Sequence, residues 1–364
     1  YDPIEDRLCE FETALEDLAA TARAWREDRR GWIASEMRLW KRHHLQKVFG
    51  QFATVTFEDD TNKAREANKP WMVWASKSTD EHKDALKAED GFLRSRGLGA
   101  ELVPPLSLVL DDPGIYYDPS NPSRLEELIA QRATLRPDQE RRAQALIRSI
   151  TREGLTKYNL RGDAPRLPDG ERILVVGQVE DDASLDHGSA DIRTNLDLIK
   201  AARRAHPNAC LIYKPHPDVD ACLRDGGEGA DALADFVAAR TDMDYLLRNV
   251  GRVWTITSLA GFEALLRGVP VTTVGIPFYA GWQLTTDLAR IPPRRRATPD
   301  LTGLVHATLI DYPRYFHPST CAPCSVEAVV AWLANADSTT SGSWQNRLLS
   351  KVQGIFASKA HWWR

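Results

Sequence analysis

The chain has 364 residues, 43% hydrophobic and 27% charged, with a formal net charge of −4. That profile describes a water-soluble globular protein long enough for about two domains, and the charge argues against the basic footprint of a nucleic-acid binder. No apolar run approaches the ~18 residues of a membrane span, and five cysteines in no scaffold-like spacing fit a reducing cytoplasm.

Along the chain, residues 4–46 carry apolar positions at three- and four-residue spacing and read as helical. VTFEDD and PWMVWAS read as short strands, Lys77 to Leu86 as a helix, and EDGFLRSRGLGAEL as a glycine-punctuated loop. LSLVLDD is a strand, and IYYDPSNPSRLEELIA runs into a helix. RGDAPRLPDG, residues 161–170, has the Gly, Pro and Asp content of an interdomain linker. The pattern then restarts: RILVVGQ (strand), DIRTNLDLIKAARRAHP (helix), CLIYKPHP (strand and loop), LADFVAAR (helix), RVWTITS (strand), a helix over 261–268, and VPVTTVG (strand).

Alternating short apolar strands and helices imply parallel sheets covered by helices. The expected architecture is α/β and GT-B-like, with two Rossmann-like domains facing a cleft and helical segments at each terminus. The boundaries expected are 1–165 for the acceptor domain, 166–335 for the donor domain, and 336–364 for a basic amphipathic tail. In the tail, Leu348, Leu349, Val352, Ile355 and Phe356 share one face beside Arg347, Lys351, Lys359 and Arg364. It reads either as a membrane-surface helix or as a helix packed back across the domains.

An internal echo links the two ends. Pro3, Cys9, Glu12 and Leu18 recur at the same mutual spacings as Pro318, Cys324, Glu327 and Leu333. With a first residue other than Met, the echo suggests that the chain opens on the tail of a preceding, similar module. Cys321 and Cys324 form a lone C-x-x-C with no second pair to complete a zinc site.

Four constellations carry chemistry. QVEDDAS crowds Gln178, Glu180, Asp181, Asp182 and Ser184 at a strand end; it reads as a catalytic carboxylate or as a solvated turn with a helix N-cap. YKPHP puts Lys214 beside His216 between rigidifying prolines, which suits an anionic group. Thr257 and Ser258 open a helix that carries Glu263, followed by a loop with Tyr279 and Trp282. A helix N-terminus seats a phosphate, and a carboxylate one turn on holds ribose hydroxyls. In the other half, Glu89, Asp90, Arg94 and Arg96 lie in a glycine-bearing loop that faces the cleft, where the arginines suit an anionic acceptor. Gln178, Arg193 and Tyr279 complete the candidate cleft wall. A CMP donor has one phosphate, which Lys, His and helix N–H groups neutralise without Mg²⁺, so no metal and no cofactor is expected.

WKRHH, EDGFLRSRGLGAELVPPLSLVLDDPGIYYDPSNPSRLEELI, GQVEDDAS, DIRTNLDLI, YKPHPDV, TSLAGFEALLRGVPV, GIPFYAGWQLTTD and YPRYFHP together resemble the KpsC-type capsule polysaccharide proteins, retaining β-Kdo transferases. The resemblance covers residues 38–320, with one departure: Gln283 stands where the family usually shows Gly. It implies transfer of Kdo from CMP-β-Kdo to a β-Kdo oligosaccharide on a lysophosphatidylglycerol-type lipid. It also implies a cytoplasmic enzyme peripheral at the inner membrane, with capsule assembly proteins as further partners. The acidic, His-Pro and Ser/Thr motifs of related CMP-sugar transferases map onto Asp181–Asp182, His216–Pro217 and Thr257–Ser258. Retention implies double displacement, with Asp182 as nucleophile, Asp181 as second choice, and Glu89 as general base. Lys214, His216 and Ser258 then hold phosphate or the Kdo carboxylate, Glu263 binds ribose, and Arg94, Arg96 and Arg193 meet the acceptor. The rival expectations are a transferase of another CMP-sugar, such as a sialic acid, or a non-catalytic capsule assembly or export module.

Overall fold

The computed structural model describes residues 8–98, 102–189, 191–220, 229 and 231–335. The first part runs α1 (Phe11–Asp28), β1 (Trp32–Ser35), α2 (Leu39–Phe49), β2 (Val55–Phe57), α3 (Thr61–Glu66), β3 (Trp71–Trp74), β4 (Leu86–Asp90), β5 (Ser107–Asp111), α4 (Arg124–Gln131) and α5 (Pro137–Arg152). The second runs β6 (Arg172–Val176), α6 (Ala183–Gly188), α7 (Asn195–Ala205), β7 (Cys210–Lys214), α8 (Pro217–Asp220), β8 (Phe236–Val237), α9 (Met243–Arg248), β9 (Arg252–Thr255), α10 (Leu259–Leu266), β10 (Val271–Thr273) and β11 (Thr286–Asp287). The chain closes with α11 (Leu301–Val305), β12 (Arg314–Phe316), β13 (Pro323–Cys324) and α12 (Val326–Ala334).

Two sheets result. The second is wholly parallel in the order β8-β7-β6-β9-β10-β11. Its inner strands β7, β6, β9 and β10 are buried on both faces, hence the unbroken apolar run of Ile173–Val176, whereas the edge strands β8 and β11 are partly exposed. The first sheet has the order β13-β12-β5-β4-β3-β1-β2. Strands β2, β1, β3 and β4 are parallel, whereas β5, β12 and β13 pair antiparallel, so the expectation of a purely parallel sheet is corrected.

Three local expectations also change. The reading of 4–46 as helix is interrupted by β1, because Gly31 takes φ +71° and ends α1. All four β1 residues are buried, so the strand lacks the two-residue alternation that would have marked it. Lys77–Leu86 forms only short 3₁₀ turns, where Thr79 and His82 cap each other, before β4 pairs with β3. LADFVAAR is no helix: Asp235 accepts the Leu211 N–H and Arg203, and β8 extends the sheet beside β7.

The expected donor domain of 166–335 is also too long. β12 and β13 return to the first sheet, where Arg314 reaches the Asp28 carboxylate at 2.6 and 2.7 Å. One large core spans both sheets, from Val109 and Leu125 to Leu174 and Val253. No described helix is long and apolar enough to cross a membrane. The tail 336–364 and Cys222 lie outside the described residues.

Candidate active site

In the second sheet β6 starts the fold, β7 and β8 lie to one side, and β9 to β11 lie to the other. The strand order therefore reverses between β6 and β9, the point at which open α/β sheets bind ligands beyond their strand ends. The loops after those two strands carry QVEDDAS and TSLAG, and the structure joins them.

Gln178 is buried; its Nε2 donates to Thr257 Oγ1 at 3.0 Å, and its Oε1 accepts the Thr257 N–H at 2.8 Å. Ser184 Oγ lies 3.1 Å from the same hydroxyl. Asn195 fixes Gln178 through both backbone groups at 2.8 Å and donates its own N–H to Glu180 at 2.9 Å. Asp182 caps α6 by accepting the Ser184 N–H at 2.9 Å, so the motif is an N-cap and a cleft carboxylate at once. Ser258 caps α10 in the same way, accepting the Ala260 N–H. Next to them, His216 Nδ1 accepts the Asp218 N–H at 3.1 Å, which assigns the ring proton of the neutral form to Nε2. The His216 ring stands edge-on to Tyr158, centroids 6.3 Å apart.

The opposite wall comes from the end of β4. Arg94 donates to Asp90 at 2.6 Å, and the Lys41 ammonium sits 3.9 Å from the other Asp90 oxygen, over the Trp74 ring. Burial works against the Asp90 charge, but Arg94 and Lys41 outweigh it and lower its pKa to about 2. Among the described residues, adjacent Glu89 forms no ion pair and accepts the Asp90 N–H at 3.1 Å. Burial pushes its carboxyl up to about 7 despite Lys41, with Asp90 adding repulsion. Two neighbouring carboxylates thus separate into an anion and a group poised to exchange a proton near neutrality.

Between the walls lie residues absent from the expected site. Lys157 feels both Asp182 and Asp90; burial lowers its pKa, but Tyr158, Asp182 and Asp90 prevail and keep it protonated. Among the described residues Lys157 forms no direct ion pair; its ammonium lies 5.1 Å from the Tyr158 ring centroid. Tyr116 and Tyr117 have pKa values raised by burial first, and then by Glu89 and Asp182, so both acids face the same space. Phe92 packs against Phe278 and Tyr116 at 4.8 and 4.9 Å and forms an apolar floor joining the domains. Arg295 ties that floor to α4, donating to Glu126 at 2.6 Å and to the carbonyls of Pro277 and Ala280. At the rim, His187 of α6 lies 3.6 Å from Asp118 of the opposite domain.

The structure reassigns several expected site residues. Arg94 is buried on Asp90 and Ser95, too enclosed to meet an acceptor. Arg96 donates to the carbonyls of Leu333 and Asn335 at the end of α12, a cation at a helix C-terminus rather than an acceptor ligand. Tyr279 is wholly buried, with its hydroxyl on Ser258 O, and supports the site from behind instead of lining it. Gly261 makes room for that ring, because a Cβ there would lie 2.2 Å from the Tyr279 hydroxyl.

Lys214 is held by Asp220 at 3.2 Å and by the Ala239 carbonyl, so it anchors the β7–β8 crossover. Glu263 is buried, and its Oε1 accepts the Lys157 N–H at 2.7 Å. Arg193 sits at the rim on Asp186, and Asp181 is exposed beside the partly buried Asp182. Gln283, the departure from the family pattern, has φ +65°, in the left-handed region that favours glycine. Lys157 escaped sequence reading because it stands outside any local cluster of chemically unusual residues; Lys41 lies within WKRHH, but nothing local shows that the fold turns it onto Asp90.

Residues 75–160 and 160–315 match the family described as Capsule polysaccharide biosynthesis protein. The chain is 40% identical over 323 residues to the capsule polysaccharide modification protein LipA of Neisseria meningitidis serogroup B, covering 84% of this chain and 46% of LipA. It is also 40% identical to the lipopolysaccharide-processing protein LpsZ of Rhizobium meliloti, covering 81% of this chain and 72% of LpsZ. The chain thus spans about half the length of the LipA relatives. Among solved structures, it resembles the beta Kdo 2,4 transferase of Thermosulfurimonas dismutans KpsC, with TM-score 0.74, 33% identity, and coverage of 83% of this chain and 98% of that one. The beta Kdo 2,7 transferase of the same KpsC matches with TM-score 0.69 and 34% identity, over 84% of this chain and 98% of that one.

Proposed function

The chain belongs to the capsule polysaccharide biosynthesis family, and we propose that it is a retaining β-Kdo transferase module. The donor is CMP-β-Kdo, and the acceptor is a hydroxyl of a β-Kdo oligosaccharide on a lysophosphatidylglycerol-type lipid. The observation that carries this reading is the pairing of Asp182, at the strand-order reversal of the parallel sheet, with Glu89 on the facing wall around the protonated Lys157. The likeness to two proteins described as beta Kdo transferases supports the choice of sugar.

The reaction runs in two displacements. An Asp182 carboxylate oxygen attacks the anomeric carbon, the bond to the CMP phosphate oxygen breaks, and CMP leaves with the electron pair. Glu89 then takes the proton of the acceptor hydroxyl, whose oxygen attacks the same carbon and releases Asp182. Inversion occurs twice, so configuration is retained. Asp182 is preferred to exposed Asp181 because its charge is the one that reaches Tyr116, Tyr117 and Lys157.

His216 Nε2–H and the Ser258 end of α10 take the donor phosphate, and Lys157 takes the ulosonic carboxylate. The second oxygen of Glu263 is the one left for a ribose hydroxyl. Arg193 stands at the acceptor rim. The chemistry needs no metal, and the basic tail is the segment proposed to meet the inner membrane.

The test is Asp182→Ala incubated with CMP-Kdo and a synthetic Kdo acceptor. Loss of transfer is expected, and full turnover would sink the assignment. Donor hydrolysis with CMP-Kdo against CMP-sialic acid tests the sugar.

A further inference from the structure

Helix α1 turns the wrong faces to solvent and to the protein. Its packed side is polar: Glu16 pairs with Arg142, Asp17 accepts the Ser325 N–H at 2.8 Å, and Arg23 donates to carbonyls of residues 311–313. Its solvent side is apolar. Phe11, Leu15, Leu18 and Trp25 are 75%, 49%, 64% and 48% exposed, in the register of one helical stripe. A contiguous apolar stripe on one face of a surface helix marks an interface.

The internal echo identifies what fits the stripe. Shifted onto the C-terminal segment, Cys9, Glu12, Leu18 and Ala19 fall on Cys324, Glu327, Leu333 and Ala334. The structure extends the match: α1 begins at Phe11 and α12 at Val326, which are equivalent positions. The exposed Phe11, Leu15 and Leu18 fall on Val326, Val330 and Leu333, which are 2%, 5% and 1% exposed and pack on α5 and β12. The same helix face is therefore covered at one end of the chain and bare at the other. Another copy of this chain offers no vacant seat, because its own α12 fills it. Glu10 and Glu12 flank Phe11, which disfavours an anionic lipid surface.

We propose that the outer face of α1 docks a second module of this same fold, whose counterparts of α5 and β12 cover Phe11, Leu15 and Leu18. One rigid helix is then shared, polar side to this module and apolar side to the other, and it sets how the two cleft openings are oriented. The LipA relatives, of which this chain spans 46%, are long enough to hold such a body. The inference does not depend on the transferase reading.

Two measurements test it. The variant Phe11→Gln/Leu15→Gln/Leu18→Gln keeps helix propensity. In the 364-residue chain its Tm is expected to stay within about 2 °C of the parent, whereas in the protein at its natural length one transition drops by at least about 5 °C. A comparable loss in the 364-residue chain alone means the stripe packs within this module, and overturns the proposal. In the natural-length protein, p-benzoylphenylalanine at Leu15 is expected to crosslink to an α5- or β12-like segment outside residues 1–364. Crosslinks to residues 336–364, to Leu15 of a second copy or to lipid overturn it, as does a gene product with no second module.

Discussion

The carboxylate of Glu263, in the parallel-sheet domain, accepts the backbone N–H of Lys157 at 2.7 Å. From the other side, the Lys157 carbonyl accepts the N–H groups of Arg94 and Ser95 at 3.2 and 3.3 Å. The cleft lysine is thus fixed through its backbone by both walls, while its ammonium stays free of a direct ion pair among the described residues. Burial raises the Glu263 pKa against the pull of Arg267 and the Lys157 N–H. A buried carboxylate held for a backbone donor positions its neighbour and does not itself react.

Lys157→Met removes a charge-assisted contact to an anionic donor. Such contacts contribute about 1.5–3 kcal/mol, so kcat/KM for the donor is expected to fall roughly 10- to 100-fold. Tm should move little, since no ion pair is broken. Steady-state kinetics and differential scanning fluorimetry on the same preparation check both halves; unchanged donor kinetics contradict the role.

Glu89 supplies the pH dependence. As a general base it works only when deprotonated, so turnover should rise with pH through about 7. Glu89→Gln should remove that limb and most of the rate. Stability runs the other way: the folded-state pKa lies above the ordinary value, so the stabilisation is fully present below about pH 4.5 and is lost as pH rises through about 7. The Tm advantage of Glu89→Gln over the parent should therefore widen from pH 5 to pH 8, with a ceiling on the order of 3 kcal/mol. A gap independent of pH refutes the raised value.

Asp182 and Asp181 separate by exposure. Asp182→Asn is expected to lose at least ~10³-fold in kcat, whereas Asp181→Asn stays within about 10-fold. Intact-protein mass spectrometry of Glu89→Gln with CMP-Kdo should show one added Kdo, because the adduct forms but its release is slowed. The same adduct on an Asp182→Asn background points to another nucleophile.

Arg94 and Tyr279 are predicted to matter for stability rather than for ligand affinity. Arg94→Met leaves the Asp90 carboxylate buried without its closest cation, an effect of about 3–5 kcal/mol. Tyr279→Phe removes the hydroxyl that donates to the Ser258 carbonyl, which keeps the Gly261 N–H, an effect of about 0.5–1.5 kcal/mol. Urea denaturation measures both. A rise in acceptor KM with unchanged stability would restore Arg94 as an acceptor ligand.

Gln283→Gly should raise stability by up to about 1 kcal/mol, because it relieves a left-handed backbone at an exposed residue. The greater freedom of glycine in the unfolded chain offsets part of this gain. Thermal melts of the variant decide the sign.

The motif loops after β6 and β9 were legible because each is local: acids, hydroxyls and a helix start within a few residues of an apolar strand. β1 was not, since a strand buried on both faces has the same apolar run as a buried helix turn. The return of β12 and β13 to the first sheet was equally hidden, because antiparallel pairing of Arg314 and Tyr315 with β5 depends on partners about 200 residues away.

By itself, the sequence determined that the chain is an α/β protein with an acidic, a His-Pro and a Ser/Thr motif at strand ends, since strand patterning and capping act over a few residues. Only the tertiary structure decided which of those groups face the cleft. It withdrew Arg94, Arg96, Lys214 and Tyr279 into ion pairs and packing, and it brought Lys157 between Asp182 and Asp90. It also raised Glu89 while lowering Asp90. The physical reason is that burial and through-space charge depend on what the fold places around a side chain, and adjacent residues in one sequence can meet opposite surroundings.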